Sequence, residues 1–337
     1  MERNRFIDVL KGILIINVII LHFPYVDPEI QKYLFPFTLA MTVPCFMMIS
    51  GYVSGLSFAK RRINSLEAAY SPMLIAEKMV RFVVPFTMAF IAEWILFRLH
   101  GIYQVDIKTY GILALGMDYL RGAIGPGNYY FPIMIQFIFL IPVIYYIIKK
   151  NQLKGLFYCF VINAVYEVVQ HAYLLNYETY RLLIFRYLFI IAAGCYFAIH
   201  PVKPSRKYVV VGAACMTIGI AFICLFSFTS YAPKIITYWN TTSFVTMLYI
   251  IPILGWMLTN VKIKCRPLEI VGRASFNIFL VQMIFYSLRG AVYESVQECW
   301  AKLCISIGVC VGIGILFYYI EQPITKWIIK KFQLKTY

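Results

Sequence analysis

The chain has 337 residues, 61% of them hydrophobic and only 14% charged, with a mean hydropathy of +0.75. A soluble domain holds about 45–50% apolar and about 25% charged residues. The solvent for most of this surface is therefore lipid, which excludes a cytosolic enzyme, a secreted disulfide scaffold and a disordered binder. The net charge of +16 resembles a nucleic-acid signature, but its distribution follows membrane topology instead.

A helix crosses a hydrocarbon core of about 30 Å in about 20 residues. Ten segments reach or approach that length: 6–24, 34–56, 79–98, 129–148, 155–175, 182–199, 207–229, 241–260, 269–288 and 299–320. Backbone groups in lipid need internal partners, so the spans are helices or a closed barrel. Apolar runs this long exclude the barrel, whose strands alternate over about ten residues. The expected fold class is all-α, a polytopic integral membrane protein with one domain over 1–337 and no appended soluble domain. The basic start Met-Glu-Arg-Asn-Arg looks like a signal peptide, yet the run after it carries Asp8 and Lys11 and no small-residue cleavage site. It therefore reads as a retained helix. The gap at 99–128 is rich in Gly and Tyr and has room for a short interfacial helix.

With the N-terminus in the cytoplasm, 21 Lys and Arg fall on the cytoplasmic side and 9 on the other, with Lys11 inside the membrane. Both termini then come out cytoplasmic. The positive charge reads as topology plus attraction to anionic lipid, and no nucleic acid is expected as a partner. The nine cysteines form no C-x-x-C pair and no metal-ligand spacing, so neither disulfides nor a metal are expected.

Ionisable groups inside spans are expensive and point to function. The first helix carries Asp8, Lys11, Asn17 and His22. Lys11 and His22 share a face, about 16 Å apart along the axis, and Asp8 lies one turn before Lys11. The plainer reading is an interfacial Asp–Lys pair with a lone histidine near the outer headgroups. Lys78 and Arg81, one turn apart at the cytoplasmic start of the third span, suit an anionic ligand such as a nucleotide phosphate. Positive-inside anchoring with snorkelling accounts for them equally well. Gln136, Asn163, Glu167, Arg186, Asn277 and Gln282 are further polar residues within spans, and Glu93 lies toward the outer end of its helix. Interhelical hydrogen bonding is the expected role of Gln136, Asn163 and Asn277. Arg186 most needs a partner, with Glu167 and Glu93 as candidates. Ser50 and Gly51 belong to a cluster of small residues that reads mostly as close helix packing.

Taken in order, these pieces resemble the membrane-bound acyltransferase-3 family, in particular compact members similar to fucose 4-O-acetylases and polysaccharide O-acyltransferases. Lys11 followed by ten residues and His22 resembles the family's R-x10-H signature, and Phe46 to Gly51 resembles F-x-x-S-G-[FY]. Lys78-x-x-Arg81 with Pro85 is similar to the R-x-x-R block, and Tyr129 to Pro142 to the fourth-helix segment. Gly272 to Gln282, containing Ser275, resembles the late G-x-x-S-x-x-[IL]-Y-L-x-H segment, and Glu321-Gln-Pro323 the closing E-x-P. The chain departs from the pattern at three sites. Lys11 and Lys78 replace arginines, a point charge for a planar fork, and Gln282 stands where many members carry His. No esterase-like domain like that of longer members is expected, and the chain would act alone or hand its acyl group to a partner.

The resemblance implies transfer from a cytoplasmic acyl-CoA, with acetyl-CoA the expected donor, to a hydroxyl of a cell-surface glycan or lipid-linked sugar. It implies a multi-pass protein of a bacterial cytoplasmic membrane, with the lipid bilayer and other glycan-assembly proteins as partners. His22 would take the acceptor's proton as general base, or form an acyl-His22 intermediate. Lys11 or Arg186 would stabilise the oxyanion or place the donor diphosphate, Asp8 would orient Lys11, and Lys78 and Arg81 would hold the coenzyme phosphates. Ser50, Gly51, Gln136, Ser275, Gln282 and Glu321 are the remaining substrate-side or structural candidates. The alternative is a secondary transporter or flippase for a sugar or lipid-linked intermediate, which commonly shows mirrored, broken repeats. The prolines at 44, 85, 132, 142 and 252 do not mirror each other.

Overall fold

The computed structural model describes residues 4–101, 107–173, 176–230, 240–294 and 296–332, and among these there is no strand. The first third of the chain forms α1 (Arg5–His22), α2 (Pro28–Leu34), α3 (Thr42–Lys60), α4 (Leu66–Ala69) and α5 (Pro72–Leu99). The middle forms α6 (Ile107–Arg121), α7 (Tyr130–Lys150), α8 (Gln152–Ala172), α9 (Tyr177–Leu182), a 3-10 turn (Ile184–Tyr187) and α10 (Leu188–Ile199). The last third forms α11 (Arg206–Phe228), α12 (Met247–Asn260), α13 (Arg266–Arg273), α14 (Ser275–Tyr293) and α15 (Cys299–Lys331). Local signals set many starts: the side chains of Asn4, Asp27, Ser65, Asn151, Asn176 and Ser205 each accept from a first-turn N–H, which satisfies donors the helix itself leaves open.

Helices occupy all ten expected places, but not all have the length and composition of a span. Five do: Pro28–Lys60, Leu66–Leu99, Tyr130–Lys150, Arg206–Phe228 and Cys299–Lys331. The expected ninth span is two helices, Arg266–Arg273 and Ser275–Gly290, bent by 68°, and makes a sixth if counted as one. The other four fall short for visible reasons. Helix α1 has 18 residues and carries Arg5, Asp8 and Lys11. Helix α8 carries Asn163, Glu167 and Gln170, all buried. The Ile184–Ile199 and Met247–Asn260 segments are short. Helix α15 runs to Lys331 with Pro323 inside it, past the expected end at 320; proline is tolerated in apolar helices where neighbours satisfy the freed carbonyl. Helix α6 lies within the gap at 99–128. Residues 174–175 of the expected fifth span, Arg3, Lys234 and Lys335, and the side chain of Lys108 lie outside the described residues.

Glycines set the closest approaches. A Cβ at Gly51 would lie 2.2 Å from the Ile191 carbonyl oxygen, and one at Gly194 would lie 2.1 Å from that of Met48. Helices α3 and α10 therefore pack backbone to backbone. A Cβ at Gly12 would lie 2.4 Å from the Leu268 oxygen, and one at Gly272 only 1.7 Å from the Asp8 oxygen, so α1 and α13 do the same. Small residues permit this packing in an apolar solvent. Two apolar cores result. One gathers Phe6, Ile7, Leu10 and Leu14 of α1 with α3, α7, α10 and α12. The other gathers Ile15, Val18 and Ile19 of α1 with α5, α14 and α15. Helix α1 belongs to both and lies between them.

Candidate active site

His22 is the last residue of α1 and is half-buried. Its Nδ1 is 2.9 Å from Gln282 Oε1, and Gln282 Nε2 donates to the Pro126 carbonyl oxygen at 3.1 Å. A proline carbonyl can only accept, so the amide NH2 of Gln282 must face it and Oε1 must face the imidazole. Nδ1 therefore carries the proton, and Nε2 is left with a lone pair. The Tyr286 hydroxyl ties α14 to α1 by donating to the Ile19 carbonyl oxygen at 2.7 Å, and its ring lies edge-on to His22 with centroids 6.4 Å apart.

The segment carrying Pro126 is built to lie against this ring. Gly122, Ala123 and Gly127 have φ of +89°, +72° and +89°, in the left-handed region that favours glycine. Asn128 Nδ2 donates to the Ala123 oxygen at 2.8 Å, and buried Glu93 accepts from the Ile124 N–H at 3.0 Å. A Cβ at Gly125 would sit 2.7 Å from the Met283 oxygen, and one at Gly127 would sit 3.0 Å from the Phe279 ring and 3.4 Å from His22 Cε1. Apart from Glu93, these residues carried no signal of a site in the sequence; the run Gly125-Pro-Gly127 inside a long gap is what could have raised one.

Toward the other end of α1, buried Asp8 faces Arg273 Nε at 3.7 Å. Arg273 Nη2 also lies 3.6 Å from Glu269. The sequence placed Lys11 beside Asp8 and counted Arg273 only as a topological charge; the Gly272 approach to the Asp8 backbone is what brings Arg273 there. Lys11 is half-buried.

Lys78 and Arg81 share the start of α5 but differ in surroundings. Buried Glu77 accepts from Arg81 at 2.9 Å and from Arg61 at 3.3 Å. Glu77 was not singled out in the sequence, and it takes Arg81 into a carboxylate-bridged pair rather than leaving it free. The Lys78 nitrogen stands 4.2 Å from the Phe58 ring centroid, buried and without a hydrogen-bond partner among the described residues. Lys149 Nζ donates to the Ile63 oxygen at 2.9 Å and stands 5.7 Å from the Tyr145 ring, which packs on Phe58 at 5.0 Å.

Arg186 is fully enclosed, at 0% exposure. Its Nη2 donates to Thr242 Oγ1 at 2.6 Å, and its guanidinium lies 4.9 Å from the Tyr180 ring and 4.6 Å from the Tyr187 ring. Of its two candidate partners, Glu167 lies near enough to couple to it electrostatically; Glu93, on α5, instead accepts from the loop at His22. Glu167 also accepts from Asn163 Nδ2 and the Phe244 N–H, each at 3.0 Å. Arg186 and the Lys78 neighbour Cys195 are nine residues apart, on the order of 13 Å of helix rise.

The remaining candidates serve the fold in this structure. Gln136 holds the break before α10, donating to the Leu182 oxygen at 2.7 Å and accepting from the Ile184 N–H at 3.1 Å. Gly51 is a packing contact with α10, and neighbouring Ser50 is half-buried. Ser275 opens α14 at the 68° bend. Glu321 accepts from Asn277 Nδ2 at 3.4 Å and from the Thr325 hydroxyl, joining α14 to α15. Among the described residues no group of three or more His, Cys, Asp or Glu is placed to hold a metal ion.

A family model described as an acyltransferase domain, that of the acyltransferase-3 family, matches residues 4–319. No curated protein and no solved structure matches the chain.

Proposed function

The chain belongs to the acyltransferase-3 family, and from that membership we propose that it moves an acyl group, acetyl in the first instance, from cytoplasmic acyl-CoA to a hydroxyl of a cell-surface glycan or lipid-linked sugar. The observation that carries this reading is the hydrogen-bond chain from Pro126 through Gln282 to His22, which leaves Nε2 as a proton acceptor. An alcohol attacks a thioester poorly until its proton leaves, and a positioned base contributes on the order of a hundred- to ten-thousand-fold. His22 Nε2 takes the acceptor's hydroxyl proton as the acceptor oxygen attacks the thioester carbonyl carbon. The tetrahedral intermediate then collapses, the C–S bond breaks, and the coenzyme sulfur leaves with the proton from His22. Throughout, Gln282 Oε1 holds Nδ1–H and keeps the ring oriented.

The coenzyme phosphates would be received by the buried Lys78 ammonium and by Arg81 and Arg61 around Glu77. Lys11 lies about 16 Å down α1 from His22, too far to touch an oxyanion there, so we assign it to the donor's diphosphate side, flanked by Asp8 and Arg273. Arg186, enclosed by tyrosines, acts through the fold. On this reading all ten segments cross a bacterial cytoplasmic membrane, with both termini in the cytoplasm. Short α10 can take part because Ile190, Ile191, Ala192, Ala193 and Cys195 are buried in protein and never meet lipid.

The test is coenzyme release from radiolabelled acetyl-CoA by purified protein in detergent, alongside coenzyme A binding. Binding with release of free coenzyme A is the expected result. Folded protein that neither binds coenzyme A nor consumes the donor would overturn the reading in favour of a transporter.

A further inference from the structure

The end of the molecule that carries His22 also carries two cations with no carboxylate partner among the described residues. Arg289, half-buried near the end of α14, donates from Nη1 to the Tyr286 carbonyl oxygen at 2.5 Å. Lys302, in the first turn of α15, stands 4.6 Å from the Tyr25 ring centroid and 5.8 Å from that of Tyr293. Tyr25 is 45% exposed and meets Tyr293 edge-on at 5.7 Å. Arg289 meets the backbone of Tyr286, whose ring packs on Phe285 at 5.4 Å, and Phe285 packs on Tyr293 at 6.1 Å, so rings and cations form one cluster. That cluster is continuous with the imidazole: Tyr25 follows His22 by three residues, and Tyr286 lies edge-on to the His22 ring.

On the orientation proposed above, this is the cation-poor side, with 9 Lys and Arg against 21. Interfacial anchoring there is served by tyrosines and does not call for two cations. Glu294 and Glu298 stand nearby in the chain, yet neither pairs with them. A lysine point charge and an arginine fork together suit a phosphate or carboxylate, and an exposed aromatic face offers an apolar platform beside them. We propose that Tyr25, Tyr293, Arg289 and Lys302 form the acceptor subsite next to His22, and that it takes a sugar bearing an anionic group, phosphate or carboxylate, near the hydroxyl to be acylated. Calling the bound sugar an acceptor rests on the acyltransferase reading; its binding does not require turnover.

The test uses three octyl hexosides that differ only at the sixth carbon, as phosphate, carboxylate or neutral hydroxyl. Each is titrated calorimetrically into the full-length protein in nanodiscs of zwitterionic lipid. At least one anionic hexoside is expected to bind about tenfold or more tighter than the neutral one, a gap of about 1.4 kcal/mol that narrows as salt rises. An advantage confined to the phosphate identifies a phosphorylated sugar, and one confined to the carboxylate identifies an acidic sugar. Lys302→Gln and Arg289→Gln should each reduce the preference by about threefold or more, with the affinity for the neutral hexoside and for coenzyme A unchanged. Equal affinity for all three compounds, or a preference that persists in the double variant, would overturn the proposal. Failure of the acyltransferase reading would look different: no coenzyme A binding, with the anion preference intact.

Discussion

His22 and Gln282 are ordered by an atom that neither contributes, the Pro126 carbonyl oxygen, which accepts from Gln282 at 3.1 Å and thereby turns the other end of the amide to the imidazole. Replacing Gln282 with Leu leaves Nδ1–H of the half-buried imidazole unpaired, a loss of about 1 kcal/mol, and frees the ring to rotate. The expected result is a kcat lower by about tenfold or more with the KM for acyl-CoA unchanged, read from initial rates. Gly127 is also constrained, with φ +89° and a Cβ there lying 3.0 Å from the Phe279 ring and 3.4 Å from His22 Cε1. Gly127→Ala should therefore lower activity while donor binding stays intact. At the other end of the site, Lys78→Ala removes a buried ammonium that has no hydrogen-bond acceptor among the described residues. We expect a KM for acyl-CoA higher by about tenfold, in line with the loss of one charge-assisted contact, and an unchanged KM for the acceptor; a donor titration checks both.

Among the helices, α1 is the element on which the site depends, because it belongs to both apolar cores and its backbone touches α13. Gly272→Ala would put a Cβ 1.7 Å from the Asp8 oxygen and force the helices apart, at a cost of about 1–3 kcal/mol or more. Gly308→Ala, where a Cβ meets nothing within 4 Å, is the control. Thermal unfolding in detergent should show a lower midpoint for the first variant and no loss for the second. These contacts also explain what could be read in advance. Asp8, Lys11, Arg186 and Gln282 stood out because a polar group in an apolar run is expensive wherever it goes. Their neighbours did not stand out. Arg273 reaches Asp8 only because Gly12 and Gly272 let two backbones meet, and glycine spacing in one helix does not name the helix it will face. Pro126 and Gly127 lie in a loop whose path depends on three positive-φ residues and on Glu93 of a distant helix. The bend at Ala274 was likewise silent, since the expected span 269–288 runs straight through it.

At the scale of the whole molecule, apolar composition made the all-helical fold and its membrane setting legible, while span count was blurred where helices are sheltered by protein. Helix α10 needs no lipid-spanning length because α3, α7, α8 and α12 surround it. The charge distribution predicts that tags at both termini are reached by protease from the cytoplasmic side alone in sealed vesicles; cleavage of one tag from the opposite side would contradict the ten-span topology. The central claim is narrower and more direct to test: a single imidazole, held by Gln282, makes this fold an acyltransferase. The decisive measurement is transfer of radiolabel from acetyl-CoA into the glycolipid fraction of native membranes by purified wild type and by His22→Ala, with coenzyme A binding of both measured alongside. The account predicts label in product for the wild type and none above background for the variant, with coenzyme A bound equally well by both. Undiminished transfer by His22→Ala would contradict it.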